Sequence, residues 1–275
     1  MTKLTDFLNG RGPAEMYEDC WVPCTLWPYA VDLAELTAPG DRVLDVGAGT
    51  GLLTELAAAR IGRQGHVVAL EPTPFMIDTL KPKFEGNRRI TLASETIEMT
   101  HANNEEFDVV LCHQVIQYVA EPSVAFREMR RVLKPGGCLG VGVWSDAGDQ
   151  VAGALQAGFE NFLGESFAPI HAWSFGGLKR LCKLAESAEF SDVSLEKKVR
   201  TARFDSVEHL LAVHLAGGMR VNKDEVLMGM FDLSDPSFEP KVEALLQFLT
   251  DDLGKYETQE GLNIPWSSDV LVARA

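Results

Sequence analysis

Basic residues are scarce: 25 Lys and Arg stand against 40 Asp and Glu, a net charge of −15. Phosphate backbones are held by clustered cations, so nucleic acid is not an expected partner. The short clusters Arg127/Arg130/Arg131 and Lys197/Lys198/Arg200 read as solvated faces. Five scattered cysteines are too few for a disulfide framework and suit a reducing compartment, so a cytoplasmic location is expected. Cys20 and Cys24 would share a helix face, but no second pair stands at metal-site spacing, and no metal is expected. No apolar run reaches the ~18 residues of a membrane-spanning helix. The first twenty residues lack an apolar signal region. What is there is 46% apolar content, enough for one large domain or a core with a cap.

The most informative run is Val43-Leu44-Asp45-Val46-Gly47-Ala48-Gly49-Thr50-Gly51. A β-favouring stretch enters a turn rich in glycine, and Leu52, Leu53, Leu56, Ala57 and Ile61 then follow at the helical period. Glycine admits positive φ and close approach of a ligand to the main chain. The helix start offers free N–H groups to an anionic group. Glu71 ends the next apolar run, Val67-Val68-Ala69-Leu70, where folds of this kind grip a ribose diol. The spacing Gly47-x-Gly49-x-Gly51 puts Leu52 where a dinucleotide fingerprint has its third glycine, which disfavours nicotinamide cofactors. Asp45, inside the strand end, suits a ligand carrying an ammonium group.

The pattern along the chain predicts strands near 42–46, 66–71, 89–93, 107–112 and 138–144, with helices near 52–61, 74–81 and 122–133. Alternating strands and helices mark a parallel sheet covered on both faces. Before it, residues 1–38 read as a helical lead-in interrupted at Pro13, Pro23 and Pro28. After it, helical stripes fall at 151–163, 177–188, 206–215 and 240–253, with apolar alternation at Val193-Leu195 and Val270-Leu271-Val272.

From about Pro39 to Trp144 the chain resembles class I S-adenosylmethionine-dependent methyltransferases, in the branch of ubiquinone/menaquinone-biosynthesis and natural-product enzymes. The match is carried by Val43 to Gly51, Glu71-Pro72 with Met76, Phe107 to Cys112, and Arg130-Arg131-Val132-Leu133-Lys134-Pro135-Gly136-Gly137. The resemblance implies an α/β, Rossmann-like three-layer sandwich: a seven-stranded, mostly parallel sheet with an antiparallel last strand, plus a helical cap. It divides the chain into a lead-in or lid (1–38), a cofactor-binding core (39–204 and 263–275) and a helical insertion capping the substrate (205–262). Its cofactor is S-adenosyl-L-methionine, with S-adenosyl-L-homocysteine as product.

By the same resemblance, Asp45, Gly47, Ala48, Gly49 and Gly51 cradle the cofactor, Glu71 and Pro72 meet its ribose, and Met76 lies against adenine or packs the core. The place of an adenine-binding aspartate falls at Thr96, with Glu95 as its substitute, and Ile97 would offer its backbone N–H. His113 follows the fourth strand and either gives only its backbone to the cofactor or acts as a general base. Tyr17 and Trp21 either close over the cofactor, where aromatic faces attract a sulfonium, or pack the lead-in onto the core. Gln117, Tyr118, Trp144, His171 and Trp173, with Trp21, are the expected pocket for a small-molecule methyl acceptor. His209 and His214 read as satisfied histidines. The expected assembly is a monomer or homodimer. Methyl transfer by in-line displacement depends mainly on alignment, so the pattern specifies the cofactor and leaves the acceptor open. Two alternatives keep the cofactor site: chemistry other than methylation, such as a decarboxylation or pericyclic step, or a non-catalytic scaffold.

Overall fold

A computed structural model describes residues 13–146, 148, 150–163, 170–173, 175–217, 219–222, 225–228 and 237–275. The chain forms two compact units. One comprises residues 27–145, 175–198 and 268–275 and the other residues 1–26, 146–174 and 199–267. The segment 150–163 groups with the later helices.

The first unit is built on strands β1 (Arg42–Val46), β2 (His66–Leu70), β3 (Ile90–Ala93), β4 (Phe107–His113) and β5 (Leu133–Trp144). Strands β6 (Ser191–Phe204) and β10 (Gly261–Arg274) join them in the order β3-β2-β1-β4-β5-β10-β6. Pairs β1–β2, β1–β4, β2–β3 and β4–β5 are parallel. β10 runs antiparallel to β5, with Ser268 opposite Trp144 and Arg274 opposite Cys138. An eighth strand, β9 (Glu257–Thr258), pairs only with β10.

Strands buried on both faces read as continuous apolar runs, which is why β1 and β4 were plain in the sequence. Helices α1 (Trp27–Ala34), α2 (Leu52–Ile61), α3 (Pro74–Phe84), α4 (Pro122–Val132) and α6 (Gly177–Ser187) belong to this unit; α5 (Gln150–Leu163) belongs to the other. α4 starts on Pro122, whose missing N–H is no loss in a first turn. It buries Ala125, Phe126, Met129 and Val132, one face at helical spacing, into a core with Leu44, Val110, Leu139 and Leu271.

The second unit holds α5, α7 (Val207–Gly217) and α8 (Glu239–Leu253). At Gly158 of α5 a Cβ would stand 2.6 Å from Leu245 of α8, so glycine sets the close approach of these helices. In the lead-in, Pro23 lies inside a π-helical stretch, Tyr17–Leu26. Pro28 sits in the first turn of α1, where a missing N–H is no loss. Between α7 and α8, β7 (Met219–Asn222) and β8 (Glu225–Met228) form an antiparallel hairpin.

Candidate functional site

β1 and β2 run side by side, so the turns after them open at the same edge of the sheet. In the turn after β1, Gly47, Gly49 and Gly51 take φ of 69°, 59° and 92°. A Cβ on Gly47 would also meet Val115 Cγ2 at 2.4 Å. The turn is pinned by Ala48 N–H to the Leu70 carbonyl at 2.9 Å and Gly51 N–H to the Ala48 carbonyl at 2.8 Å. Glu71, 5% exposed, stands at the end of β2. Its Oε2 accepts from Gly49 N–H and its Oε1 from Thr73 N–H, both at 2.8 Å. Each carboxylate oxygen can accept twice, so one acceptor position per oxygen remains for a vicinal diol.

Asp45 is buried beneath the turn and receives the Thr54 hydroxyl at 2.5 Å. Burial pushes its carboxyl up to about 7, opposed by the Thr54 hydrogen bond and reinforced by the charge of Glu71. A buried acid beside a second acid gains most from a cationic neighbour. The chemistry of this donor set fits S-adenosylmethionine: Glu71 would hold the ribose, the glycine turn would admit the sulfonium-bearing chain, and Asp45 would face its ammonium.

The remaining predicted contacts differ in availability. Met76 and Ile97 are buried, Pro72 and Thr96 exposed. Glu95 is occupied: His101 donates its backbone N–H to one oxygen, and its Nδ1 lies 3.0 Å from the other. The backbone bond is the main reason the Glu95 carboxyl lies below its usual range.

After β4 the chain turns sharply. His113 closes the strand, and its Nε2 is shut from solvent with no partner among the described residues. Burial lowers the imidazole to about 3. Gln114 adopts φ 58°, and Ile116–Tyr118 form a single 3-10 turn. Gln117 Nε2 donates to Gln114 Oε1 at 3.0 Å, Gln114 Nε2 to Ser268 Oγ at 3.0 Å, and Ser268 Oγ to the Val143 carbonyl at 2.8 Å. Burial raises the Tyr118 phenol to about 12 against a hydrogen bond from Gln117. Trp144 ends β5 and packs edge-on against Tyr29 at 5.9 Å. Thr54, Gln114 and Ser268 were missed from sequence. Ser268 lies 154 residues from the amide it anchors, and no local pattern announces it.

Tyr17, Trp21 and Trp173 fall in the other unit, and the side chain of His171, like Pro169, lies outside the described residues. Within that unit Trp21, Trp266, Trp173 and Phe159 surround His214 at ring distances of 4.7, 5.8, 6.1 and 6.5 Å. His214 is 2% exposed. Its Nδ1 lies 2.8 Å from the Leu210 carbonyl, which can only accept, so Nδ1 carries the proton and Nε2 is a bare acceptor. That nitrogen has no partner among the described residues, so this histidine is only half satisfied. Burial lowers it to about 4. His209 instead accepts the Asp205 N–H at 3.1 Å.

Residues 44–141 match the methyltransferase domain family. An uncharacterized methyltransferase of Mycobacterium tuberculosis is 30% identical over 208 residues, which is 69% of this chain and 80% of that protein. A ubiquinone biosynthesis O-methyltransferase of Xanthomonas campestris is 36% identical over 107 residues, 38% of this chain and 44% of its own length. In fold, the chain is similar to Haemonchus contortus phosphoethanolamine N-methyltransferase 2 in complex with S-adenosyl-L-methionine. That likeness has a TM-score of 0.59 at 18% identity and covers 98% of this chain and 59% of the other. The glycine turn, the Glu71 cap and this kinship lead to one conclusion: the chain belongs to the class I S-adenosylmethionine-dependent methyltransferases.

Proposed function

We propose that this enzyme methylates a small organic molecule, with Glu71, the Gly47–Gly51 turn and Asp45 holding the cofactor. The observation that carries the site assignment is the Glu71 carboxylate, tied by Gly49 N–H into the glycine turn at the end of β2. A net charge of −15 disfavours polyanionic acceptors. Kinship with an O-methyltransferase named for ubiquinone biosynthesis supports a small acceptor. Free thiols throughout suit a reducing, cytoplasmic setting.

When bound, the cofactor supplies an activated methyl group and most of the driving force. The protein has to align the nucleophile with that methyl group and exclude water, and alignment alone is worth about 7–11 kcal/mol. His113 stays neutral at working pH. Lowered to about 3, its imidazole is a weak base and would assist only an acceptor with a readily lost proton.

Titration calorimetry with S-adenosylhomocysteine tests the reading. Wild-type protein should bind it and ignore NAD. Glu71→Ala should weaken it by about 1.5–3 kcal/mol, the worth of a charge-assisted hydrogen bond. Unchanged affinity in that variant would remove Glu71 from the site.

A further inference from the structure

The hydrogen bonds after β4 run in a direction that is forced. The Val143 carbonyl can only accept, so Ser268 spends its one hydrogen there, at 2.8 Å. Ser268 Oγ must then accept from Gln114, which turns its NH2 group to the serine at 3.0 Å and its Oε1 away from it. That oxygen takes a hydrogen from Gln117 Nε2 at 3.0 Å. The Gln117 NH2 group is thereby turned to Gln114, and its Oε1 is left over, buried and without a partner among the described residues. Inverting the amide would set two carbonyl oxygens face to face, so the free atom cannot exchange roles.

The arrangement is enclosed and strained. Gln114 is 3% exposed, Gln117 7%, and Ser268 fully buried. The left-handed φ of 58° at Gln114 is uncommon outside glycine and collects at functional sites. The same segment lies over the cofactor turn, with Val115 filling the space a Cβ on Gly47 would need.

We propose that Gln117 Oε1 recognises the methyl acceptor by receiving a hydrogen bond from its O–H or N–H. A molecule bearing a donor next to the methylated atom fits this site. A molecule presenting only lone pairs, such as a carboxylate, is rejected by oxygen facing oxygen. Gln114 and Ser268 are positioning residues that fix which end of the Gln117 amide is the free acceptor. The inference rests on the methyltransferase reading of the same site.

Phenol and fluorobenzene share a shape and differ in the donor, so they serve as probes on protein saturated with S-adenosylhomocysteine. In wild type, phenol should shift the Gln117 side-chain amide signals in nuclear magnetic resonance spectra and bind about tenfold or more tightly than fluorobenzene. Gln117→Met should equalise the two probes and leave S-adenosylhomocysteine affinity within about twofold. Ser268→Ala should weaken phenol alone and speed hydrogen exchange of the Gln114 side-chain amide. Equal or absent binding of the two probes in wild type would overturn the proposal. So would a phenol preference that survives Gln117→Met, or a loss of S-adenosylhomocysteine affinity in that variant, which would put the oxygen on the cofactor. Failure of wild type to bind S-adenosylhomocysteine is a separate result and counts against the cofactor site itself.

Discussion

Around Glu71, buried polar atoms are held by main-chain N–H groups at 2.8 Å, and around His214 the space is filled by rings. The first arrangement is directional. It needs glycines at positive φ, a strand end and an acid at one fixed place, and it suits a ligand whose chemistry is always the same. The second is defined by shape, with three tryptophans and a phenylalanine around one imidazole. The two regions also respond oppositely to pH. Asp45 is raised to about 7, so its contribution to stability is full below the unfolded-state carboxyl range and is lost as pH rises towards 7. His214 is lowered to about 4, so its contribution is present above the usual histidine range and is lost as pH falls towards 4.

The largest expected effect breaks this opposition at the acid. Asp45→Asn keeps an oxygen for Thr54 and removes the buried charge. Urea unfolding followed from pH 4 to 8 should show the variant gaining on wild type by up to about 4 kcal/mol at the alkaline end. Parallel curves for the two proteins would mean that Asp45 is not the group responsible. Next in size, Gly47→Ala meets both a left-handed backbone and Val115, at roughly 3 kcal/mol together. It should cost about a hundredfold in S-adenosylhomocysteine affinity. Adding Val115→Ala should restore only the steric share, and full rescue would show that φ 69° carries no cost. The smallest effect sharpens the contrast at the rings. His214→Phe trades an unpaired nitrogen for carbon and should leave stability at pH 7 within about 1 kcal/mol. His214→Ala, which empties the shell, should lose about 3. Equal losses in thermal unfolding of the two would mean that the imidazole is needed for more than its volume.

The same contrast explains what could be read from the sequence. β1 and α2 lie where the pattern put them, and β2 within a residue, because buried parallel strands and amphipathic helices write their period locally. Glu71 was legible because its distance from the glycines is set by one strand–helix–strand unit. The π-helical turn at Pro23 was not, since a proline predicts interruption without saying what local geometry surrounds it. The hairpin of β7 and β8 comprises two strands of four residues, too short for a period to stand out. The Ser268–Gln114–Gln117 relay joins residues from opposite ends of the sheet region, and only the pairing of β10 with β5 creates it.

The place of β10 between β5 and β6 has a consequence in time. β6 leaves the ribosome before β10 does, yet among the described residues its pairing with the sheet is through β10. Until that strand is made, β5 presents an open edge and β6 has nothing to pair with. An open edge is a template for foreign strands, and long-range pairing is slow. The relay that fixes Gln117 waits on the same event, because Ser268 arrives with β10. β10 thus completes the sheet and orients the polar site in a single step.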